Sequence, residues 1–283
     1  MLTDKIRLSG PETTDPEDYL GQSLGVIFPD DITNQHGDLD HAVIYQSPRF
    51  GDIKLELADP QGADNRKLFS HFLWNAGIQL AEFIEEEGDW DVRGKKVLEL
   101  GAGTGLSGIV AARAGAESVV ITDYPAPEVV ANVRKNVEVN LPKEMRIGRE
   151  GKPATCLVEG HEWGNLSGDD SFVQGHKGSF DVILVADCLW MPSQHKELMK
   201  SIAWFLNPGG KAWVVSGFHS GREKMAGFYN AALLTEHGME VESIVERDPE
   251  GREREWVTER KFEGVTDTER KRWLVISVLR KRG

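Results

Sequence analysis

Three glycines at alternate positions, Gly101, Gly103 and Gly105, follow the short apolar run Val97–Leu100. A run of this kind predicts a buried strand, and helix-compatible sequence begins at Leu106. Because glycine lacks a Cβ, the turn between strand and helix can bend sharply and bring bare backbone N–H groups against a ligand. This pattern is typical of a loop that holds part of a nucleotide or nucleoside.

An acidic residue extends the pattern. Asp123 directly follows the apolar run Ser118–Thr122, and it lies 22 residues after Gly101. That spacing suits a carboxylate that accepts hydrogen bonds from both hydroxyls of a ribose. The sequence therefore predicts a nucleoside-type cofactor. Two structural alternatives stay open: a plain tight turn at the glycines, and Asp123 as the N-cap of a helix that follows Pro125.

Several other active-site patterns are absent. The dinucleotide fingerprint G-x-G-x-x-G fails at Leu106, and no P-loop G-x-x-x-x-G-K-[ST] occurs. His161-Glu162 lacks the second histidine of H-E-x-x-H, and the histidines show no tight pairing, so no metal site is predicted. None of the four tyrosines is followed four residues later by the lysine of a short-chain dehydrogenase.

Composition narrows the class of protein further. The chain of 283 residues is long enough for one large domain with or without an extension. No apolar stretch reaches the ~18 residues of a membrane span, and the first residues lack the apolar segment of a secretory signal. Cys156 and Cys188 are too few for a disulfide framework. These features predict a cytoplasmic protein and leave the nucleus open as a second compartment.

The net charge of −13 bears on partners. Nucleic-acid binding needs clustered lysine and arginine for phosphate contacts, so we expect no direct nucleic-acid binding. An acidic surface instead favours a basic partner through long-range steering, although solubility alone would also account for the charge.

Strand and helix patterns alternate through most of the chain. Apolar or alternating runs predict strands over residues 52–57, 97–100, 118–122, 155–158, 180–186, 211–216, 241–245 and 273–279. Helical spacing of apolar residues predicts helices over residues 69–87, 107–114, 127–140, 194–206 and 222–237. This alternation predicts an α/β fold with a doubly wound, mostly parallel sheet, helices on both faces and a ligand site at the carboxyl ends of the strands.

Two regions fall outside the alternation. Residues 1–48 are rich in Asp, Pro, Thr and Gly, and we expect an irregular N-terminal arm that precedes a catalytic domain over residues 49–283. Residues 247–272 are dense in Arg and Glu without apolar periodicity. That composition indicates an exposed loop or a hairpin extension.

The segment Glu99–Gly105 resembles motif I of the class I S-adenosylmethionine-dependent methyltransferases. Four further segments agree with the resemblance: Phe72–Gly77, Thr122–Pro125, Glu162–Trp163 and Ala186–Met191. Together they resemble methyltransferase family 16, a group of protein-modifying enzymes with a seven-stranded Rossmann-like sheet. The resemblance covers roughly residues 45–280 and implies S-adenosyl-L-methionine as the cofactor.

The resemblance also implies which residues hold that cofactor. They are Trp74 beside it, the backbone of Gly101, Ala102 and Gly103 along the methionine portion, Asp123 at the ribose, Trp163 near the adenine, and Ala186 through a backbone contact. Electron-rich rings and carboxylates suit a cationic sulfonium. Two plainer interpretations remain: Trp74 as a core residue of the helix that begins near Phe69, and Trp163 as an ordinary surface aromatic.

Two residues past the fourth core strand are implied as catalytic. Asp187 would orient the target nitrogen, and Trp190 would pack against the methylene or methylated group. In this chain Asp187-Cys-Leu-Trp190 replaces the Asp-x-x-Tyr of the family, so the aromatic residue lacks a hydroxyl donor.

Within the family, the chain resembles a fungal branch once named nicotinamide N-methyltransferase-like. The resemblance implies a protein N-methyltransferase that acts on the N-terminal glycine and adjacent lysine of translation elongation factor 1-alpha, a substrate with a basic segment. Two other functions stay open. One is methylation of a small amine such as nicotinamide, and the other is a cofactor-binding regulatory subunit in a signalling complex that acts on or near histones.

Overall fold

The computed structural model describes residues 1–9, 35–37, 41–58, 72–147, 155–260 and 272–283. Within these ranges the strands are β1 Ile6–Leu8, β2 Gln35–His36, β3 Val43–Ser47, β4 Gly51–Leu55, β5 Leu73–Trp74, β6 Lys96–Leu100, β7 Ser118–Asp123, β8 Cys156–Gly160, β9 Phe180–Ala186, β10 Leu206–Gly217, β11 Met239–Arg247, β12 Glu253–Glu255 and β13 Leu274–Lys281. The helices are α1 Asn75–Glu86, α2 Leu106–Arg113, α3 Pro127–Asn140, α4 Lys143–Ile147, α5 Ser171–Gly175, α6 His195–Phe205, α7 Arg222–Ala226 and α8 Ala231–Glu236.

The main sheet confirms the predicted α/β architecture. Its strand order is β12-β11-β13-β10-β9-β6-β7-β8. The β8, β7, β6, β9 and β10 strands run parallel to their neighbours, whereas β13, β11 and β12 pair antiparallel. The order reverses at β6, because the chain moves outward from it to β7 on one side and to β9 on the other. Ligands bind at such a switch point, at the carboxyl ends of the strands.

The expected count of seven strands is wrong by one. The additional strand β12 lies in the Arg- and Glu-rich segment and pairs with β11, which makes the hairpin alternative the right one. Its cross-strand pair Arg247–Glu253 is joined by an ion pair of 2.9 Å. A strand of three polar residues carries no apolar alternation, so periodicity does not reveal it. Residues 261–271 of that segment lie outside the described residues.

Both faces of the sheet are covered. Alternate residues of the central strands point to opposite faces of the sheet. Strand β9 is nearly all buried because helices cover both of these faces. One face packs on α1, α2 and α3, and the other packs on α6 and the α7–α8 region. In the described part of the chain, no helix has the length and apolar character needed to cross a membrane.

Three predicted elements differ from the structure by more than two residues at one end or are interrupted. The helix expected over residues 69–87 begins only at Asn75, because Leu73–Trp74 is extended and pairs with β2; residues 69–71 lie outside the described residues. The helix expected over residues 222–237 is interrupted between α7 and α8, where Asn230 accepts a hydrogen bond from the Ala232 N–H and starts a new helix. The β10 strand begins at Leu206 rather than at residue 211, with a register shift before Lys211.

The N-terminal region is more ordered than the expected irregular arm where it is described. Strands β1, β3 and β4 form a separate antiparallel sheet, and β3 pairs with β4 across residue 48. Asn140 of α3 fastens this sheet to the main domain, since its side chain accepts from the Lys54 N–H at 3.0 Å and donates to the Lys54 carbonyl at 2.7 Å. The boundary at residue 48 stays a prediction, and residues 10–34 and 38–40 lie outside the described residues.

Candidate functional site

The glycine turn after β6 adopts a backbone that glycine favours. Gly101, Gly103 and Gly105 have φ values of +68°, +55° and +80°. A Cβ atom on Gly101 would lie 2.6 Å from the Cys188 Sγ and 2.7 Å from the Trp163 ring. The absence of a side chain at Gly101 therefore lets the two neighbouring loops close on the turn.

The backbone of the turn is fixed by β7. The Ala102 N–H donates to the Thr122 carbonyl at 3.0 Å, and the Gly105 N–H donates to the Ala102 carbonyl at 2.8 Å. These bonds leave the turn with a single shape before any ligand binds. Ala102 itself lines the cleft that opens above the sheet.

Asp123 lies at the end of β7 with both carboxylate oxygens occupied by backbone donors. The Gly103 N–H and the Tyr124 N–H each donate to one oxygen at 2.7 Å. Burial raises the pKa of Asp123 to about 6, against the lowering effect of the two hydrogen bonds. Each oxygen keeps a second lone pair, so the carboxylate can also accept ribose hydroxyls. Asp123 does not cap α3, whose N-cap is Ala126.

Glu99 adds a second buried carboxyl beneath the turn. One of its oxygens accepts a hydrogen bond from the Gly108 N–H of α2 at 2.9 Å. Burial raises its pKa to about 8, and the nearby Asp123 adds to the rise. Glu99 thus joins β6 to α2 through this hydrogen bond.

A second loop, residues 161–164, carries Trp163 and is held by α6. The Ser201 hydroxyl accepts from the Gly164 N–H at 2.8 Å and lies 2.9 Å from the His161 Nε2. Burial lowers the pKa of His161 to about 4, so the imidazole is neutral and Nε2 can accept the hydroxyl proton. Lys200 donates to the Gly164 carbonyl at 2.7 Å. Trp163 is therefore a positioned wall of the cleft rather than an ordinary surface aromatic.

A third loop follows β9 and carries Asp187. This aspartate has φ +57°, and among the described residues Glu87 is the one other non-glycine with positive φ. Left-handed backbone at a non-glycine residue costs of order 1–3 kcal/mol and concentrates at functional sites. The Asp187 side chain accepts from the Gly217 N–H at 3.0 Å and contacts the His219 Nε2 at 2.9 Å. The carboxylate is thus held in one orientation.

The nine predicted site residues all line one cleft with about 1050 Å³ of empty space, its open mouth included. They are Trp74, Gly101, Ala102, Gly103, Asp123, Trp163, Ala186, Asp187 and Trp190. Sites for small ligands and cofactors are concave and mainly apolar, with a few placed polar groups, and this cleft combines aromatic rings with the Asp123 and Asp187 carboxylates. The interpretation of Trp74 as a helix core residue is wrong, because Trp74 precedes α1 and faces this cleft.

Other lining residues were missing from the predicted set. Among them are Glu99, Tyr124, His161, Glu162 and Gln194. Tyr124 and Glu162 directly adjoin a predicted residue, so adjacency along the chain was a usable signal. His161 and Gln194 are brought in by tertiary packing. Among the described residues, no group of three or more His, Cys, Asp or Glu side chains is arranged to hold a metal ion.

The parallel-centred sheet, the glycine turn after β6 and the carboxylate after β7 define a class I S-adenosylmethionine-dependent methyltransferase. A family model described as "Lysine methyltransferase" matches residues 61–233. The chain belongs to this family, and S-adenosylmethionine is its cofactor. The family match confirms the assignment that the sequence motifs indicated.

Fungal relatives are similar over most of the chain. A protein of Candida glabrata named "Protein N-terminal and lysine N-methyltransferase EFM7" is 33% identical over 228 residues, which cover 80% of this chain and 86% of the relative. The protein of the same name from Yarrowia lipolytica is 32% identical and covers 71% of this chain and 74% of its own length. The one from Gibberella zeae is 38% identical over 63% of this chain and 69% of its own length.

Proposed function

We propose that this enzyme transfers methyl groups to the N-terminal glycine and the adjacent lysine of translation elongation factor 1-alpha. The observation that carries the proposal is the fixed Asp187 carboxylate in the cleft wall, with Trp74 and Trp190 lining the same cleft. A carboxylate can bind a protonated amine, and aromatic faces favour a cationic or methylated nitrogen. The names of the fungal relatives support a protein acceptor.

The cofactor supplies a methyl group on a positively charged sulfur, so the protein has to align a neutral amine and exclude water. A lysine amine has an unperturbed pKa of about 10.4 and an α-amine one of about 7.7–8.0, so an N-terminal acceptor loses its proton more readily. In this proposal Asp187 accepts a hydrogen bond from the nitrogen, which directs its lone pair at the methyl carbon. Trp190 packs against the adjoining methylene.

The remaining cleft residues hold the cofactor in this proposal. The backbone of Gly101, Ala102 and Gly103 runs along the methionine portion, and Asp123 accepts from the ribose hydroxyls. Trp163 would pack on the adenine, Trp74 would lie beside the cofactor, and the Ala186 backbone would contact it. The support is that all of them line the same cleft.

Charge supports a basic acceptor. The chain carries a net charge of −13, and Glu162 is exposed at the cleft. A protein that begins with glycine and lysine brings two positive charges to this surface, and opposite charges accelerate association. Strand β2 pairs with β5, the strand that contains Trp74, so part of the N-terminal region borders the cleft.

The test is methylation of purified elongation factor 1-alpha with radiolabelled S-adenosylmethionine and mass spectrometry of its N-terminal peptide. We expect label on the α-amine and the adjacent lysine, and its loss when the α-amine is acetylated and the lysine is changed to arginine. Asp187→Asn should abolish most turnover, whereas Asp169→Asn, an exposed aspartate, should not. Turnover of free nicotinamide with none on the protein would refute the proposal.

We also propose that the enzyme acts in the cytoplasm, where translation factors work. A low cysteine content and an acidic composition are consistent with that compartment. Microscopy of the tagged full-length chain should show cytoplasmic signal, and exclusive accumulation in the nucleus would contradict this location.

A further inference from the structure

His219 contacts the cleft residue Asp187 from just outside the lining of the cleft. Its ring Nε2 lies 2.9 Å from the Asp187 Oδ2. The other oxygen, Oδ1, accepts from the Gly217 N–H at 3.0 Å. Both donors come from the end of β10, which neighbours β9 in the sheet. Each carboxylate oxygen therefore has its own donor from the same short segment.

Two donors on two oxygens fix the plane of the carboxylate. Rotation about the Asp187 Cβ–Cγ bond would break both hydrogen bonds at once. The left-handed backbone of Asp187 also leaves few alternative positions for the side chain. Because the carboxylate accepts, the His219 Nε2 must carry its hydrogen, and the lone pairs that remain on Asp187 point in set directions.

The same imidazole also packs against Trp74, which lines the cleft. The ring centroids of His219 and Trp74 lie 4.7 Å apart, with an interplanar angle of 64°. Trp74 precedes α1, whereas Asp187 follows β9. His219 thus contacts both the Asp187 carboxylate and the Trp74 ring. Its side chain is 23% exposed.

Gly217 is shaped to accept this ring. A Cβ atom on Gly217 would lie 2.7 Å from the His219 Nε2, 3.1 Å from Cε1 and 3.4 Å from Cδ2. The imidazole is folded back over the glycine, at a distance that a side chain there would not permit. An alanine at Gly217 would therefore displace the ring but keep the N–H that donates to Asp187.

We propose that His219 is a positioning residue for methyl transfer. It holds the Asp187 carboxylate in the plane that aligns the acceptor amine, and Gly217 supplies the space for its ring. This inference rests on the proposed function, because it takes Asp187 to contact the acceptor nitrogen. Its distinct content is that the histidine works through its Nε2–H donor.

The experiment compares four variants of the full chain with wild type: His219→Ala, His219→Gln, Gly217→Ala and the Gly217→Ala/His219→Ala double variant. Loss of a hydrogen bond to a charged group predicts a fall in kcat of roughly tenfold to 100-fold for His219→Ala, with the dissociation constant of S-adenosylmethionine unchanged within about twofold. Glutamine places a neutral N–H near the position of Nε2, so His219→Gln should recover most of the rate.

Gly217→Ala should show a loss like that of His219→Ala, and the double variant should be no slower than either single variant, since both changes remove the same contact. Calorimetric binding of S-adenosylmethionine and the thermal midpoint identify any variant that has lost its fold. The inference is overturned if His219→Ala keeps wild-type kcat, if glutamine recovers no more rate than alanine, or if the two single losses multiply.

The acceptor assay separates this inference from the proposed substrate. All variants are tested on elongation factor 1-alpha and on an array of peptides with free α-amines and lysines. If wild type labels array peptides but not elongation factor 1-alpha, the proposed substrate fails and the histidine is judged on the array. If wild type labels neither, both proposals are overturned.

Discussion

Ser201 offers a direct test of how α6 holds the Trp163 loop. Its hydroxyl accepts from the Gly164 N–H at 2.8 Å and bonds the His161 ring at 2.9 Å, and the residue is fully buried. Ser201→Ala removes one atom and leaves a buried N–H and a buried imidazole nitrogen without that partner. We expect the loop to lose its single conformation while the rest of the sheet is unchanged.

The size of the effect on cofactor affinity follows from the lost hydrogen bond of the Gly164 N–H. An orphaned buried donor costs about 1–3 kcal/mol, so we take about 2 kcal/mol for the Gly164 N–H. If binding of S-adenosylmethionine must restore the ordered loop, its dissociation constant should rise roughly 30-fold. Asp187 and Trp190 follow β9 and are not touched by Ser201, so kcat at saturating cofactor should stay within about twofold of wild type.

Isothermal calorimetry with S-adenosylmethionine, together with steady-state kinetics, measures both quantities. Ser216→Ala is a matched control, because Ser216 is also fully buried and its hydroxyl has no hydrogen-bond partner among the described residues. That variant should bind the cofactor as wild type does. The reasoning is refuted if Ser201→Ala keeps wild-type affinity, or if the two serine variants weaken binding equally.

Three further outcomes are expected. Asp123 should accept ribose hydroxyls best as a carboxylate, so calorimetry between pH 5 and 8 should show weaker cofactor binding below its pKa of about 6, and Asp123→Asn should flatten that profile. Gly101→Ala places a Cβ 2.7 Å from the Trp163 ring at φ +68°, so binding should weaken at least about tenfold. Glu246→Gln removes the buried carboxylate charge that contacts Arg222, Arg254 and Arg260 and should lower the free energy of unfolding by about 3 kcal/mol, measured with urea, whereas the exposed Glu253→Gln should change it little.

The pattern of the sequence was sufficient for the elements whose signal is local. The bounds of β9 and α3 match the predicted ones, because an uninterrupted apolar run and a helical apolar stripe each arise within a few residues. A strand over residues 52–57 was predicted but its pairing with β3 was not, and the β12 hairpin was one of two alternatives, since these pairings are not marked by apolar periodicity along the chain. Such partners are set by the tertiary fold.

The residues of the site also divide into those with a local sequence signal and those that only the tertiary fold brings together. Gly101, Asp123 and Asp187 follow the ends of parallel strands, and the topology of a doubly wound sheet brings such positions together. The contacts of Ser201 and His219 could not be read from the sequence. Ser201 contacts the Trp163 loop through the packing of α6, and His219 contacts Asp187 because a glycine two residues earlier leaves room for its ring.

The α6 helix joins the two halves of the cleft mechanically. Trp190 lies five residues before the helix, and the His195 ring at the start of the helix is 2.9 Å from the Leu189 carbonyl oxygen. Ser201, further along the helix, accepts a hydrogen bond from the Gly164 N–H of the Trp163 loop. A shift of α6 when a ligand binds beside one of these two loops would therefore move the other loop. Thermodynamic reciprocity then requires that the methyl donor and the methyl acceptor change each other's affinity by the same factor.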